Sequence, residues 1–548
     1  MNSLGARPKA FPYARSIPGG DVIGEEQINP TRRRRKRSTR EKLREQRGDG
    51  IRSNAVHAGL VGGRYRPLSD HDMQRIHTTA LDVLEQIGIG DPIPSIIEAA
   101  IPKGAVLSDS GRLCFPRSLM EDLIDGCSKE FTLYAPNPDN DIQIGGDRVH
   151  FRTCGEAVSI FDYETREARP SKLVDLYDTA RLADRLPNIH AFCQTVVATE
   201  HSDDAFVHDI NALYAQLAGT QKALAMSTAT PEHIDHFITL LDLFLGREGA
   251  FLERPCFNFG GCPIVSPLRF GADNAEVLVK CARLGIPYDI AVASQAGATA
   301  PAALAGSLVQ TFAETLATLG VMNLISPGTP FLMGAWPFIS DLRTGSFTGG
   351  SGEQALVSSA IAQLSNFYGL PSSVSACMSD SKLPDAQAGY EKGITATLTA
   401  MAGCNYIGET AGMLGSLMAC SFEAMVIDDD MIGNVLRAVR GIEVNDETLS
   451  FSVIRDTVEG SGHFLDHPQT LELMQTEYLY PQLADRGTYD DWKEGGKRDA
   501  YELAHEKAAK ILSEHYPVYI DPAADAKIRQ RFPIMLEPKN MKPGNGRW

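Results

Sequence analysis

The sequence predicts an α/β fold, a (β/α)8 barrel of the TIM type with an N-terminal α/β appendage and C-terminal helices. Three observations predict it. From about Ser171 onward, apolar runs of five to nine residues alternate with amphipathic segments of helical period. The runs are apolar throughout rather than alternating, as parallel strands covered on both faces are. Several helical segments stop at Gly and several runs start after Pro, which is the punctuation of repeated strand–helix units.

The strand candidates, in order, are "IHAFCQTVVAT", "KALAMSTAT", "PCFNFGGCP", "PYDIAVASQ", "PFLMGAWPF", "SSVSACMSD" and "CNYIGETAG". An eighth is placed near "GHFLDH". Between them lie helical segments such as "PEHIDHFITLLDLFLG", "NAEVLVKCARLG" and "GEQALVSSAIAQLSNFYG". No G-x-G-x-x-G follows any run, so a dinucleotide-binding open sheet has no support.

This assigns 171–475 to the barrel and 67–170 to the appendage. The appendage opens with a helix capped by Ser69, with Asp72 three residues on. It closes on a hairpin in "GDRVHFRTCGEAVSIFDYETREARP". Residues 476–548 form a C-terminal helical segment ending in a tail.

Residues 1–66 stand apart in charge. They carry 16 basic and 6 acidic residues, which leaves 36 basic and 63 acidic for the rest of the chain. Six consecutive cations, Arg32 to Arg37, repel one another, so a disordered extension is expected. The acidic body argues against nucleic acid as the main ligand.

The ten cysteines include no C-x-x-C pair, which points to reduced thiols and a cytoplasmic location. The N-terminus shows no secretory pattern. The most apolar window, Pro301 to Ser326, holds Gln310 and Glu314 in its middle, which favours a buried helix over a membrane span.

In such a barrel the active site lies at the C-terminal ends of the strands. That rule selects positions poor in histidine and without an Asp/Glu/His set suited to a metal, so no bound metal is expected. No nucleophile elbow occurs. Asp380 and Glu409 are the only carboxylates positioned for acid–base work. The remaining candidates are Phe257, Phe259, Gln295, Trp336, Tyr406 and Met378. Aromatic faces beside a carboxylate suit a cation that cannot donate hydrogen bonds, such as a quaternary ammonium. Aromatics at strand ends also serve to plug a barrel.

Four stretches go further: "SDSKLPDAQAGYEK" (Ser379 to Lys392), "GLPSSVSACMSDSK" before it, "FEAMVIDDDMIGNVLRAVRGIEV" (Phe422 to Val444) and "GIPYDIAVASQAGATAPAALAGSLV" (Gly285 to Val309). Together they closely resemble the trimethylamine:corrinoid methyltransferase family, the MttB-like proteins, from about Pro67 to about Tyr516. The resemblance implies a barrel that passes a methyl group from a methylated amine to the cobalt of a corrinoid. That cofactor is carried by a separate small corrinoid-binding protein. Relatives acting on trimethylamine keep pyrrolysine immediately before the Ser-Asp pair, and here that place belongs to Met378.

A tertiary amine needs capture on an electrophile to become a good leaving group. A quaternary amine of the betaine type already has its tetrasubstituted nitrogen. The expected activity is therefore demethylation of a quaternary amine, with Phe257, Phe259, Gln295, Trp336, Tyr406 and Glu409 binding substrate. Met378 and Asp380 sit at the catalytic position, Met378 without reactive chemistry. The alternatives are a catalytically silent betaine-binding or regulatory barrel, a trimethylamine methyltransferase in the strict sense, and a lyase using Asp380 or Glu409 as base. Homo-oligomerisation is expected, and association with a membrane is not. Two places depart from the common family pattern: Trp336, where many relatives have a small residue, and Gly408–Glu409, where the pattern is Tyr-Gly.

Overall fold

In the computed structural model, which describes residues 66–548 apart from 147, 466 and 475, the apolar runs become parallel strands closed into an eight-stranded barrel. They are β1 (His150–Thr153), β2 (Ala191–Cys193), β3 (Ala223–Ser227), β4 (Phe257–Gly261), β5 (Tyr288–Ile290), β6 (Phe331–Gly334), β7 (Ser372–Ser375) and β8 (Tyr406–Ala411). A helix follows each: α1 (Leu173–Asp184), α2 (Ala205–Gly219), α3 (His233–Leu245), α4 (Ala272–Leu284), α5 (Leu304–Ile325), α6 (Gly352–Phe367), α7 (Ala386–Met401) and α8 (Phe422–Arg440). The helices cover the outer face of each strand and the lumen takes the inner face, which is why the runs are apolar on both sides.

The barrel begins earlier in the chain than the sequence suggests. β1 lies within 67–170, not after 171, and pairs in parallel with β8 and β2. The described residues of "GHFLDH" form no strand. The reason is physical: β1 is four residues long and carries His150 and Arg152 on one face. A short strand whose inner face is charged does not read as an apolar run. A hairpin does follow it, but from Ser159–Phe161 and Ala168–Pro170. Residues 1–65 lie outside the described residues, and with them the expected disordered extension.

The appendage closes the N-terminal end of the barrel. Its first helix, Asp70–Asp82, is capped as expected: the Ser69 hydroxyl accepts the Asp72 N–H at 3.1 Å. A hairpin of Phe131–Leu133 and Ile142–Ile144 packs on Ala191, Ala223, Leu332 and Tyr406 at the strand starts. The opposite end, the mouth, carries a small sheet of Gln295–Ala296, Phe338–Asp341 and Ser346–Thr348.

Among the described residues, α5 is long and apolar enough to cross a membrane, and 83% of its most apolar window is buried. Its Glu314 accepts hydrogen bonds from the Ser266 hydroxyl and the Leu268 N–H, both at 2.7 Å, and so ties a mouth hairpin to the helix. The C-terminus is docked rather than loose. Arg547 pairs with Asp178 at 2.7 Å, and the Trp548 indole donates to the same carboxylate at 2.9 Å.

Candidate functional site

A cavity of about 270 Å³ opens at the mouth, lined by residues from the ends of every strand except β7. Its chemistry centres on Arg152, which projects from β1 and is 3% exposed. The Arg152 Nη2 lies 3.7 Å from Asp289 Oδ2 on β5 and 3.7 Å from Glu409 Oε1 on β8. Its guanidinium carbon stands 5.5 Å from the Trp336 ring centroid and 5.6 Å from that of Tyr406. The aromatic and acidic partners expected for a substrate cation thus already surround a cation of the protein's own.

The backbone of β8 is built for this arrangement. Between Ile407 and Ala411 its register against β1 slips, a bulge that turns the strand. Glu409 sits at φ +57°, a left-handed conformation that aims its side chain into the cavity. Gly408, just before it, leaves the space in which the guanidinium lies. A Cβ there would come within 2.7 Å of Arg152 Nε. Trp336 and Gly408–Glu409 are therefore one feature: Gly408 makes room for Arg152, and Glu409 and Trp336 face it.

Burial sets the protonation energetics. It is the main force raising Glu409 to about 7, partly offset by Arg152 and by the Gly155 N–H, which donates to Glu409 Oε2 at 3.0 Å. Burial likewise raises Asp289, opposed by Arg152 and the Ser373 hydroxyl. For Arg152, burial works against the charge, and the acidic groups around it (Cys193, Asp289, Tyr406 and Glu409) hold its pKa above the ordinary value. Arg152 Nε, Asp289 Oδ1, Trp336 Nε1 and the Tyr406 hydroxyl are buried without a hydrogen-bond partner in the protein. Such groups carry an energetic cost that a bound polar ligand relieves.

The other sequence-selected residues are dispersed. Phe257 and Phe259 turn outward: Phe259 stacks on Phe237 of α3 with centroids 5.5 Å apart. By strand alternation it is Asn258 that faces the lumen. This corrects their expected place in the substrate pocket. Tyr406 lies at the barrel floor, reaching the site only through Arg152. Gln295 belongs to the mouth sheet, where its N–H donates to the Thr299 hydroxyl at 2.9 Å.

Asp380 braces loops. It accepts from the Thr348 hydroxyl, from the Gly349 N–H at 2.8 Å and from the Ser416 hydroxyl at 2.8 Å. Met378 is fully buried and outside the cavity wall. A Cβ on Gly349 would lie 2.8 Å from Met378 Cβ and 3.3 Å from Phe347 Cε1, so Gly349 is clamped between the two side chains.

Arg152 and Asp289 escaped the sequence reading. Their signal was present: each is a single charge inside an apolar run, "HFRTC" and "PYDIAV". Among the described residues no group of three or more His, Cys, Asp or Glu stands together as a metal site, and all ten cysteines are unpaired.

Comparison with known proteins identifies relatives of the whole barrel sequence. The family description "Trimethylamine methyltransferase (MTTB)" matches residues 32–532, reaching upstream of Pro67 into the basic segment. The chain is 32% identical over 471 residues to the glycine betaine methyltransferase of Desulfitobacterium hafniense strain Y51, covering 86% of this chain and 97% of that protein. It is 32% identical to the trimethylamine methyltransferase MttB of D. hafniense strain DSM 10664 / DCB-2, covering 86% and 93%. The MttB of Methanosarcina thermophila is also 32% identical, with 86% and 98% covered. The chain belongs to the trimethylamine methyltransferase family.

Proposed function

We propose that the protein moves a methyl group from a quaternary amine to the cobalt of a corrinoid held by a small partner protein. The observation that carries the choice of amine is Met378. The place where relatives keep an electrophile holds a thioether, buried beneath Gly349 and Phe347. No adduct forms there, so the substrate must arrive with its nitrogen already tetrasubstituted.

The cavity supports a cationic substrate. Glu156, Asp289 and Glu409 stand against one guanidinium, and Trp336 supplies an apolar wall. When the three carboxylates are ionised the site is net negative and attracts a permanent cation without needing it to donate a proton. At about 270 Å³ the cavity suits a small amine. A corrinoid macrocycle is far larger, which supports an acceptor delivered over the mouth on its own carrier. When docked, that group supplies the nucleophilic metal centre that takes the methyl. The chain's own residues hold the amine in line and exclude water. Ten unpaired cysteines support a cytosolic setting.

The test incubates the purified protein with reduced free corrinoid and a panel of quaternary and tertiary amines, and follows demethylated amine by mass spectrometry. Product from a quaternary amine alone is expected. Comparable product from trimethylamine overturns the choice of substrate. Tight binding of a quaternary amine with no product from any amine marks a silent binding protein instead.

A further inference from the structure

Two of the stretches that carry the family resemblance each bring a charge to one buried point outside the cavity. Lys392, on α7, pairs with Asp428, on α8, at 2.6 Å, and each residue is 2% exposed. Neither lines the cavity around Arg152. Replacing a buried ion pair by apolar residues of similar volume is often neutral or stabilising. The charges therefore need a reason other than stability.

The bulge in β8 supplies one. β8 advances from Ile407 to Ala411 while β1 advances only from Phe151 to Thr153, and Glu409 sits within the extra length in its left-handed conformation. A left-handed residue other than glycine persists only where its surroundings over-determine it. Just beyond Glu409, two backbone groups find partners outside the sheet. The Thr410 carbonyl accepts from Lys392 Nζ at 3.4 Å, and the Gly412 N–H donates to Asp428 Oδ2 at 2.8 Å. The polarity of each partner matches the need: a lysine for the carbonyl, an aspartate for the amide. Because Asp428 Oδ2 also holds Lys392 Nζ, the pair closes a bracket on this side of the bulge. On the other side, the Ala376 N–H donates to the Gly408 carbonyl at 3.1 Å.

We propose that the Lys392–Asp428 pair is a positioning device for Glu409: by gripping the backbone beyond the bulge, it holds the left-handed turn that aims the carboxyl at Arg152. The consequence for the reaction rests on the quaternary-amine reading, in which a carboxyl released from this turn no longer faces the substrate cation.

The experiment replaces the pair in the full chain in two ways. Lys392→Met with Asp428→Leu withdraws both backbone partners and leaves no lone charge. Lys392→Gln with Asp428→Asn withdraws the charges but keeps a donor for Thr410 and an acceptor for Gly412. The readout is the Glu409 titration, taken from the stability that Glu409→Gln gains over the glutamate in each background, by urea unfolding between about pH 5 and about pH 7.5. Arg152, Glu156, Asp289, Cys154, Cys193 and Cys262 face Glu409 from the neighbouring elements and are the same throughout. In the apolar background the midpoint is expected to fall from about 7 toward 4.5, as the released carboxyl reaches water, and the gain to flatten with pH. In the amide background it is expected to stay at about 7. A folded apolar variant that keeps the native midpoint overturns the inference. So does an amide variant that behaves like the apolar one, since charge rather than the grip on the backbone would then be acting. A crystal structure of the apolar variant reads the geometry directly: Glu409 still left-handed and 3.7 Å from Arg152 also overturns it. Should that variant fail to fold, Lys392→Met with Asp428→Asn, which withdraws the Thr410 donor alone, takes its place under the same criteria. Calorimetric titration with tetramethylammonium runs beside these, with affinity expected to be lost in the apolar variant and kept in the amide one. A native chain that binds no tetramethylammonium fails the quaternary-amine reading and leaves the titration and the crystal structure to decide this inference.

Discussion

Gly408 lies beneath Arg152 at a distance that admits no side chain. A Cβ on Gly408 would stand 2.7 Å from both Nε and Nη2 of the guanidinium. Replacing Gly408 by Ala is therefore expected to displace Arg152 and destabilise the barrel by about 1–3 kcal/mol, as overpacking does. Arg152→Leu is expected to cost more, about 3–5 kcal/mol, because it strands Asp289 and Glu409 without their cation. Once Arg152 is gone the alanine meets less resistance. The double variant should then cost less than the sum of the two by about 0.5–3 kcal/mol. Urea unfolding of the four proteins measures this coupling, and strict additivity would disconnect the two residues.

The Glu409 carboxyl, raised from 4.5 to about 7 chiefly by burial, ties stability to pH. The folded protein holds the proton more tightly than the unfolded chain. The stability this confers is full below about pH 4.5 and is lost as pH rises through about 7. Above that, burying the charge costs roughly 3 kcal/mol. Glu409→Gln keeps an acceptor for Gly155 and removes the titration. The variant is expected to gain on the wild type steadily from pH 5 to about pH 7.5. A difference that stays constant across that range would mean that Glu409 is ionised throughout. Arg152, Asp289, Glu156 and Cys193 face the same group and are unchanged in the comparison.

Seven strands announce themselves as apolar runs because both faces of each are covered. β1 does not, and losing it hid Arg152, the residue around which the site is organised. The strand ends selected by the barrel rule include Trp336 and Glu409, which line the cavity. The rule does not say which face a side chain takes. Phe257 and Phe259 fell to alternation, and the inward turn of Glu409 depends on a bulge and a left-handed φ that no spacing reveals. The partner of Trp336 lies 184 positions away in the chain, at Arg152, and such pairing becomes visible only once the barrel closes.

Met378 fills space. Met378→Leu preserves volume and apolarity, so it is expected to cost under about 1.5 kcal/mol and to leave the proposed demethylation of a quaternary amine largely intact. Gly349→Ala is expected to do more harm, since the new methyl would sit 2.8 Å from Met378 Cβ. It is also expected to be relieved by pairing with Met378→Gly, which removes the Cβ that the new methyl meets. Thermal melts and turnover of the folded variants separate the two cases. Complete inactivity of a folded Met378→Leu protein would assign the sulfur a chemical role.

Asp380 distinguishes a brace from a catalyst. Its carboxylate gathers the Thr348 hydroxyl, the Gly349 N–H and the Ser416 hydroxyl, three donors from two separate loops. None of these residues lines the cavity around Arg152. Asp380→Ala leaves the donors unpaired, and each buried one costs about 1–3 kcal/mol. A clear fall in melting temperature is therefore expected. Asp380→Asn retains an acceptor oxygen and should recover part of it. For a brace, activity per folded molecule should follow stability across the pair, with the pH profile of turnover unchanged. For a general acid or base, both variants would lose turnover alike and the profile would lose a limb. Turnover against pH for Asp380→Asn, measured well below its melting temperature, decides between them.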